Sequence, residues 1–205
     1  MWTYFLEAVL GYFLGSISTS VIYTKWQYKK DVRQSGSGNA GATNVARVFG
    51  IKAGLITLLG DIIKLVIPMT TGYLLDGDLG AAVAGIAGIL GHCFPIYFKF
   101  RGGKGVSVAV TMALFLDWRV FLIGISIFLL VVLLTRFVSL GSILAAVSLP
   151  VTTLIFCSGN TPKIVMAFSI AAIIVIMHRE NIKRLVTGKE PKFKPKKSKE
   201  TKPSE

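Results

Sequence analysis

The feature that most constrains the fold of this chain is a series of long apolar runs with almost no charge, separated by short polar stretches. A helix needs about 20 such residues to cross the ~30 Å hydrocarbon core of a bilayer. Only 16% of the 205 residues are charged, against roughly 25% in a soluble domain, and the mean hydropathy is +0.65. The sequence therefore predicts an all-α, polytopic integral membrane protein.

The apolar runs predict seven transmembrane helices, of which the fourth is short. The predicted spans cover residues 3–24, 51–75, 79–98, 104–117, 119–135, 138–157 and 163–178. The first run has no basic segment before it and no convincing small-residue cleavage site, so we interpret it as a retained helix rather than a signal peptide.

The distribution of basic residues predicts the orientation of these helices. With the N-terminus outside, 20 of the 23 Lys and Arg lie at or near the inner face, as the positive-inside rule requires. We therefore expect a cytoplasmic C-terminus and a location in the cell inner (plasma) membrane. Residues 1–188 would form the membrane domain. Residues 189–205, rich in Lys and Pro, would form a disordered basic tail with weak attraction to anionic lipid and no nucleic-acid partner.

The first polar stretch of the predicted inner face is DVRQSGSGNAGATNVARVFG, residues 31–50. Glycines allow backbone N–H groups to converge on an anion, and a following helix start adds its positive end. Arg47 adds a fixed charge suited to phosphate. The same composition suits an ordinary flexible loop, and Arg47 favours the phosphate interpretation. The candidate donors around it are Ser35, Gly36, Ser37, Gly38, Asn39, Thr43 and Asn44.

The second stretch, FKFRGGKGVSVA, places Lys104 among Gly102, Gly103 and Gly105 where the fourth span begins. This arrangement is typical of a phosphate site at a helix N-terminus. It is not a Walker A loop, because Gly105 follows Lys104 where that motif has Ser or Thr. A tight turn with cations reaching towards the interface is the alternative interpretation.

The third stretch, MHRENIKRL, lies at the inner end of the last span. His178 and Asn181 are three residues apart and therefore share one helical face, which makes them candidate catalytic residues. An ordinary helix-end histidine is the alternative. Glu180 can reach Arg184 at i, i+4, so we predict a structural ion pair between them.

Three further polar positions lie within or beside the apolar runs. Ser142 at the start of the sixth span is either a helix cap or a substrate contact. Asp61 and Lys64 lie inside a span, where charges are costly, and their i, i+3 spacing predicts a structural pair. The two cysteines lack metal-ligand spacing, so we predict neither a metal nor a cofactor.

Together these stretches favour an enzyme that handles two phosphate-bearing molecules, one of which reaches it from the bilayer. The alternative is a membrane transporter of small anionic phosphate metabolites. A carrier would place its site near the bilayer midplane between repeats, whereas these polar stretches gather at one face and no inverted repeat is evident. A basic membrane scaffold whose tail recruits partners is a third interpretation.

Three segments carry a resemblance to a known family. The segments GSGNAGATNVAR, GHCFPIYFKFRGGKGVSVA and HRENIKRLVTGKE resemble the three motifs of the bacterial acyl-phosphate:glycerol-3-phosphate acyltransferases, and GDIIK and SLGSI resemble further shared segments. The match runs in order over nearly the whole chain. One departure is Leu65, which follows Lys64 where the family commonly has Gly.

This resemblance implies a seven-helix inner-membrane enzyme, expected to be a monomer without a cofactor. Such an enzyme moves a fatty acyl group from acyl phosphate to the 1-hydroxyl of glycerol 3-phosphate and makes lysophosphatidic acid, in the first step of phospholipid synthesis. The resemblance implies that activity depends on Ser37, Arg47, His178 and Asn181. It implies that glycerol 3-phosphate binds at Gly102, Gly103, Lys104 and Gly105, and that Glu180 maintains the structure.

The sequence lacks the H-x-x-x-x-D motif of most glycerolipid acyltransferases. His92 is followed five residues later by Tyr97, and His178 by Lys183. A different mechanism is therefore required, and the base that removes the hydroxyl proton is either His178 or an oxygen of the donor's own phosphate.

Overall fold

The computed structural model describes residues 2–194, and every regular element in that range is helical. The predicted all-α fold is therefore confirmed. The predicted tail beyond residue 194 lies outside the described residues. The helices described are α1 (Trp2–Gly15), α2 (Thr19–Tyr28), α3 (Ala42–Phe49), α4 (Ile51–Cys93), α5 (Val106–Leu116), α6 (Trp118–Thr135), α7 (Val138–Phe156), α8 (Thr161–Met177) and α9 (Arg179–Val186).

Helix α4 folds back on itself and contains the second predicted span and most of the third, which ends at Cys93 and not at residue 98. Its backbone leaves the helical region at Asp76 and at Gly77, where φ is 62°. The two halves then run antiparallel, because Leu65 lies against Gly88 and Met69 against Gly85. The reversal brings both ends of α4 to the same end of the bundle, next to the polar loops.

The first predicted span is broken into α1 and α2 by a turn at residues 16–18. The turn frees the carbonyl of Ile17 from helical hydrogen bonding, and Lys64 Nζ donates to it across 2.8 Å. Helix α1 packs closely on the second half of α4, where a Cβ on Gly11 or Gly15 would collide with the α4 backbone. Glycine at these positions permits the close approach.

Helix α5 is the most enclosed element of the bundle. Its 11 residues give a length of about 16 Å at 1.5 Å per residue, well short of the hydrocarbon core. Most of its residues are apolar because α4, α6, α7 and α8 pack around it. The hydrophobic core around α5 buries several large side chains, which include Leu65, Met69, Ile89, Met112, Leu116, Met166, Ile170 and Ile174.

The outer surface of the bundle is apolar. Leu74, Leu133 and Leu134 are 76–77% exposed, which suits a lipid environment and not water. Within residues 2–194, four helical segments are long and apolar enough to cross a membrane, or five if the bent α8–α9 pair counts as one span.

Candidate active site

The polar stretches predicted from the sequence meet at one end of the bundle. Arg33 in the first loop donates to the carbonyl of Phe98 in the second, across 2.9 Å. Lys104 Nζ donates to Asn181 Oδ1. At the opposite end, Asp78 Oδ2 accepts a 2.6 Å bond from Asn160. The predicted polar stretches, although distant in sequence, therefore converge at one end of the bundle.

Asn44 organises the first loop. Its Oδ1 accepts from the N–H of Ser37 at 2.9 Å, and its Nδ2 lies 3.0 Å from the carbonyls of both Ser35 and Asn39. Gly36 has φ 62°, and a Cβ there would collide with the Asn44 amide. These bonds hold the loop in shape, while a contact of Asn44 with substrate stays a prediction.

Arg47 and Lys104 bring positive charge to the same site. Arg47 lies in the last turn of α3, and Lys104 precedes Gly105, the residue at the N-terminal cap of α5. The pKa of Lys104 is lowered mainly by burial and secondly by the nearby Arg184 cation. An anion bound here would relieve that repulsion between cations.

His178 lies in the break between α8 and α9, where the two helices are bent by 60°. Its Nδ1 is 2.8 Å from the carbonyl of Ile174. A carbonyl only accepts, so Nδ1 carries the proton and a neutral ring offers Nε2 as an acceptor. The backbone thus orients this imidazole without a carboxylate.

Glu190 is a central residue of the site that was not among the predicted ones. Its Oε1 accepts from Ser139 Oγ at 2.6 Å and Asn181 Nδ2 at 2.7 Å, and its Oε2 from Arg184 Nε at 2.8 Å. Burial raises the pKa of this carboxyl, but the three hydrogen bonds and the Arg184 charge outweigh burial and make the net shift downward.

The pairing of Arg184 corrects one prediction. The i, i+4 spacing suggested Glu180 as its partner, but Arg184 pairs with Glu190 instead. Glu180 is exposed, whereas the Glu190 side chain is only 6% exposed and already held by other donors. An ion pair with a side chain that is already held in place loses less side-chain entropy than an ion pair with a mobile surface side chain.

These residues surround a cavity of about 300 Å³. One wall is polar and cationic, and the other is apolar and formed by α5, α6 and α7. The predicted site residues that line the cavity are Ser37, Asn39, Thr43, Asn44, Arg47, Lys104, Ser142, His178 and Asn181. The apolar wall comprises Val110, Ala113, Phe121, Ile125, Phe128, Ala146 and Leu149.

Other predicted residues lie behind this lining. Asp61 and Lys64 form the predicted pair, with 2.9 Å between Oδ1 and Nζ. The loop glycines and two other predicted residues do not line the cavity: Ser35, Gly36, Gly38, Gly102, Gly103, Gly105 and Glu180. Lining residues that were not predicted include His92, Ser107, Ser139, Arg184 and Glu190.

No group of three or more His, Cys, Asp and Glu side chains suited to a metal ion occurs among residues 2–194. The cations and amides present are ligands for anions, not for metals.

A family model described as glycerol-3-phosphate acyltransferase matches residues 5–188. The chain is 43% identical to glycerol-3-phosphate acyltransferase 2 of Bacillus anthracis, over 92% of this chain and 98% of the relative. It is 41% identical to a glycerol-3-phosphate acyltransferase of Syntrophotalea carbinolica, over 95% of this chain and the whole of the relative.

Two crystal structures of PlsY (YgiH), an integral membrane glycerol 3-phosphate acyltransferase, have a similar fold. The glycerol 3-phosphate form has a TM-score of 0.87 and 36% identity, covering 93% of this chain and 96% of that one. The lysophosphatidic acid form has a TM-score of 0.84 and 35% identity, covering 93% of this chain and 95% of that one.

Proposed function

Since the chain belongs to the glycerol-3-phosphate acyltransferase family, we propose that the cavity between its polar loops and α5–α7 is the site of acyl transfer. The protein is an acyl-phosphate-dependent glycerol-3-phosphate acyltransferase that produces lysophosphatidic acid and phosphate for phospholipid synthesis. The two-sided character of the cavity is the observation that carries the assignment of the site. A cationic wall suits two phosphates, and an apolar wall suits a fatty acyl chain.

The phosphates bind at the cationic wall. Arg47 and Lys104 both line the cavity, and each offsets the repulsion between two anionic substrates. Ser37, Asn39, Thr43 and Ser142 add donors along the same wall. The acyl chain of the donor lies along α5, α6 and α7, where Val110, Phe121 and their neighbours are apolar.

Acyl phosphate is a mixed anhydride and therefore already activated. The 1-hydroxyl oxygen of glycerol 3-phosphate attacks the acyl carbon, and the bond from that carbon to the phosphate oxygen breaks. The departing phosphate takes the hydroxyl proton. The main task of the protein is to hold both reactants in line and to stabilise the developing charge.

In this mechanism His178 orients the hydroxyl and an oxygen of the donor phosphate is the base. Because its Nδ1 donates to Ile174, the neutral His178 ring has Nε2 free to accept a hydrogen bond from the 2-hydroxyl of the glycerol. This bond fixes the glycerol so that the 1-hydroxyl directs its own proton at the donor phosphate. Asn181 holds Lys104 in place through its Oδ1. A covalent acyl-serine is not required, since the donor is activated before it binds.

The membrane arrangement is proposed as seven spans with the N-terminus outside and the cavity facing the cytoplasm of the inner membrane. The convergence of the basic loops at one end supports this orientation. The protein acts as a monomer without a cofactor. The membrane domain covers residues 1–188, and the basic tail begins at residue 189, although Glu190 and Pro191 of that tail line the cavity.

The test uses purified protein in detergent, supplied with acyl phosphate and glycerol 3-phosphate. Lysophosphatidic acid formed without any sealed vesicle supports the enzyme. Uptake of phosphate compounds into liposomes without product would contradict it and favour the transporter.

A further inference from the structure

A second histidine, His92, lies beneath the cationic wall and has no role in the acyl transfer described above. It is 5% exposed, in the last turn of α4, and it also borders the cavity. Its carbonyl accepts a 3.1 Å hydrogen bond from the N–H of Gly103. The imidazole itself lies against Gly103, where any Cβ would collide with Nε2. The loop that carries Lys104 therefore rests directly on His92.

The imidazole of His92 is fixed from behind by Lys64. Lys64 Nζ lies 3.0 Å from His92 Nδ1, and an ammonium group can only donate. Nδ1 is therefore the acceptor, and the proton of the neutral ring is on Nε2, on the side of Gly103. The Lys64 donor thus determines both the tautomer and the orientation of the ring.

Lys64 is in turn part of a buried polar cluster that reaches α5. Its partner Asp61 is 1% exposed and accepts from Thr19, at the start of α2, and from Ser107 Oγ at 2.7 Å. Ser107 lies in the first turn of α5, three residues after Lys104. The Asp61 cluster, defined as Asp61, Lys64, His92 and Ser107, therefore contacts the loop of Lys104 on both sides.

Isolated charges inside a membrane bundle are expensive, and a structural pair alone does not explain this arrangement. Outside the cluster, Lys64 donates to Ile17 in the turn after α1, Asp61 accepts from Thr19 of α2, and His92 contacts the Lys104 loop. Breaking the contact to His92 would leave Lys64 without one of its acceptors and would free the imidazole to rotate away from Gly103.

We propose that His92 is a positioning residue for acyl transfer, held by the Asp61–Lys64 pair so that it fixes the glycine loop and directs Lys104 into the cavity. The proposal rests on the proposed function of that cavity. It predicts that substitutions in the cluster weaken substrate binding through Lys104, even in variants that remain folded.

The test compares steady-state kinetics of purified variants under conditions where the wild type forms lysophosphatidic acid. In His92→Leu we expect kcat/KM for glycerol 3-phosphate to fall by about 10- to 100-fold, because small displacements of a positioning group cost that much. His92→Asn restores an oxygen acceptor for Lys64 and should recover a large part of the loss. Ser107→Ala, a milder change, should raise KM several-fold while the protein remains folded.

The matched control is Lys163→Met, which breaks the 3.6 Å ion pair with Asp78 at the opposite end of the bundle. It should lower thermal stability without changing KM. Wild-type kinetics in folded His92→Leu and Ser107→Ala would overturn the proposal, as would equal activity losses in His92→Asn and His92→Leu. If the wild type itself makes no product, the proposed function fails instead.

Discussion

Lys104 and Asn181, 77 residues apart in sequence, are joined by a hydrogen bond from Nζ to Oδ1. The bond links the glycine-rich loop before α5 to the first turn of α9. Asn181 is itself held by Glu190, so a cation from one segment is oriented by two residues of another. Electrostatic stabilisation of a transferring group depends on charges held in place before the reaction begins.

Replacing Lys104 with Ala should lower kcat/KM for glycerol 3-phosphate by at least about 100-fold, because an oriented cation at the site of charge development is lost. Steady-state assays on purified protein measure this. The control is Lys52→Ala, which removes an exposed cation of α4 that does not line the cavity. Equal activity of the two variants would refute a phosphate-binding role for Lys104.

Arg47→Lys keeps the charge but loses the planar guanidinium that binds two phosphate oxygens at once. We expect a clear rise in KM, smaller than that of Arg47→Ala. Kinetics with each substrate varied in turn will show which phosphate Arg47 binds. If Arg47→Ala retains the parent KM for both substrates, Arg47 has no part in binding.

His178→Gln separates the orienting role from that of a base. Glutamine can accept a hydrogen bond but cannot take up the proton, so we expect His178→Gln to be at least tenfold more active than His178→Ala. A true general base would leave both variants about 10²–10⁴-fold slower. Turnover at saturating substrate distinguishes these outcomes, and equal, large losses would identify His178 as the base.

Glu190→Gln should destabilise the protein, because it weakens hydrogen bonds to a charged acceptor. Such bonds contribute about 1.5–3 kcal/mol each, and the Glu190 side chain is only 6% exposed. We expect a lower melting temperature in detergent and lower activity, since Asn181 loses its charged partner. An unchanged melting temperature would show that the contact contributes nothing to folding.

The same carboxyl predicts a pH dependence of stability. Its pKa is lower in the folded state than the ordinary value of 4.5, so on acidification the unfolded state takes up the proton first. The contribution of Glu190 is therefore fully present above that value and is lost as pH falls through the folded-state pKa. As the pH falls below 4.5, the melting temperature of the wild type should therefore fall more steeply than that of Glu190→Gln. Parallel decreases in the two proteins would contradict this.

The long apolar helices and many residues of the cavity lining could be predicted from the sequence because each depends on local composition. Apolar runs give helices, and Gly-rich segments with a cation mark loops suited to anions. The partners could not be predicted. Glu190 is an isolated acid in a Lys- and Pro-rich segment, and nothing local indicates that Ser139 and Asn181 will approach it. Glu180 has the right helical spacing for Arg184, yet Glu190, which lies beyond the end of α9, takes its place.

The reversal within α4 illustrates the same limit. Asp76 and Gly77 separate two predicted spans, but the composition does not reveal that the two halves meet at Leu65 and Gly88. The position of His92 beside Lys64 follows only from that reversal. Long-range packing, rather than local preference, therefore determines which polar residues meet.

The most direct measurement is an experimental structure of this protein with glycerol 3-phosphate bound. We predict that the phosphate contacts Arg47 or Lys104, that the 2-hydroxyl lies towards His178 and that the 1-hydroxyl lies beside the apolar wall of α5–α7. A phosphate bound where neither cation touches it, or a 1-hydroxyl directed away from that wall, would contradict the assignment of the cavity as the site of acyl transfer.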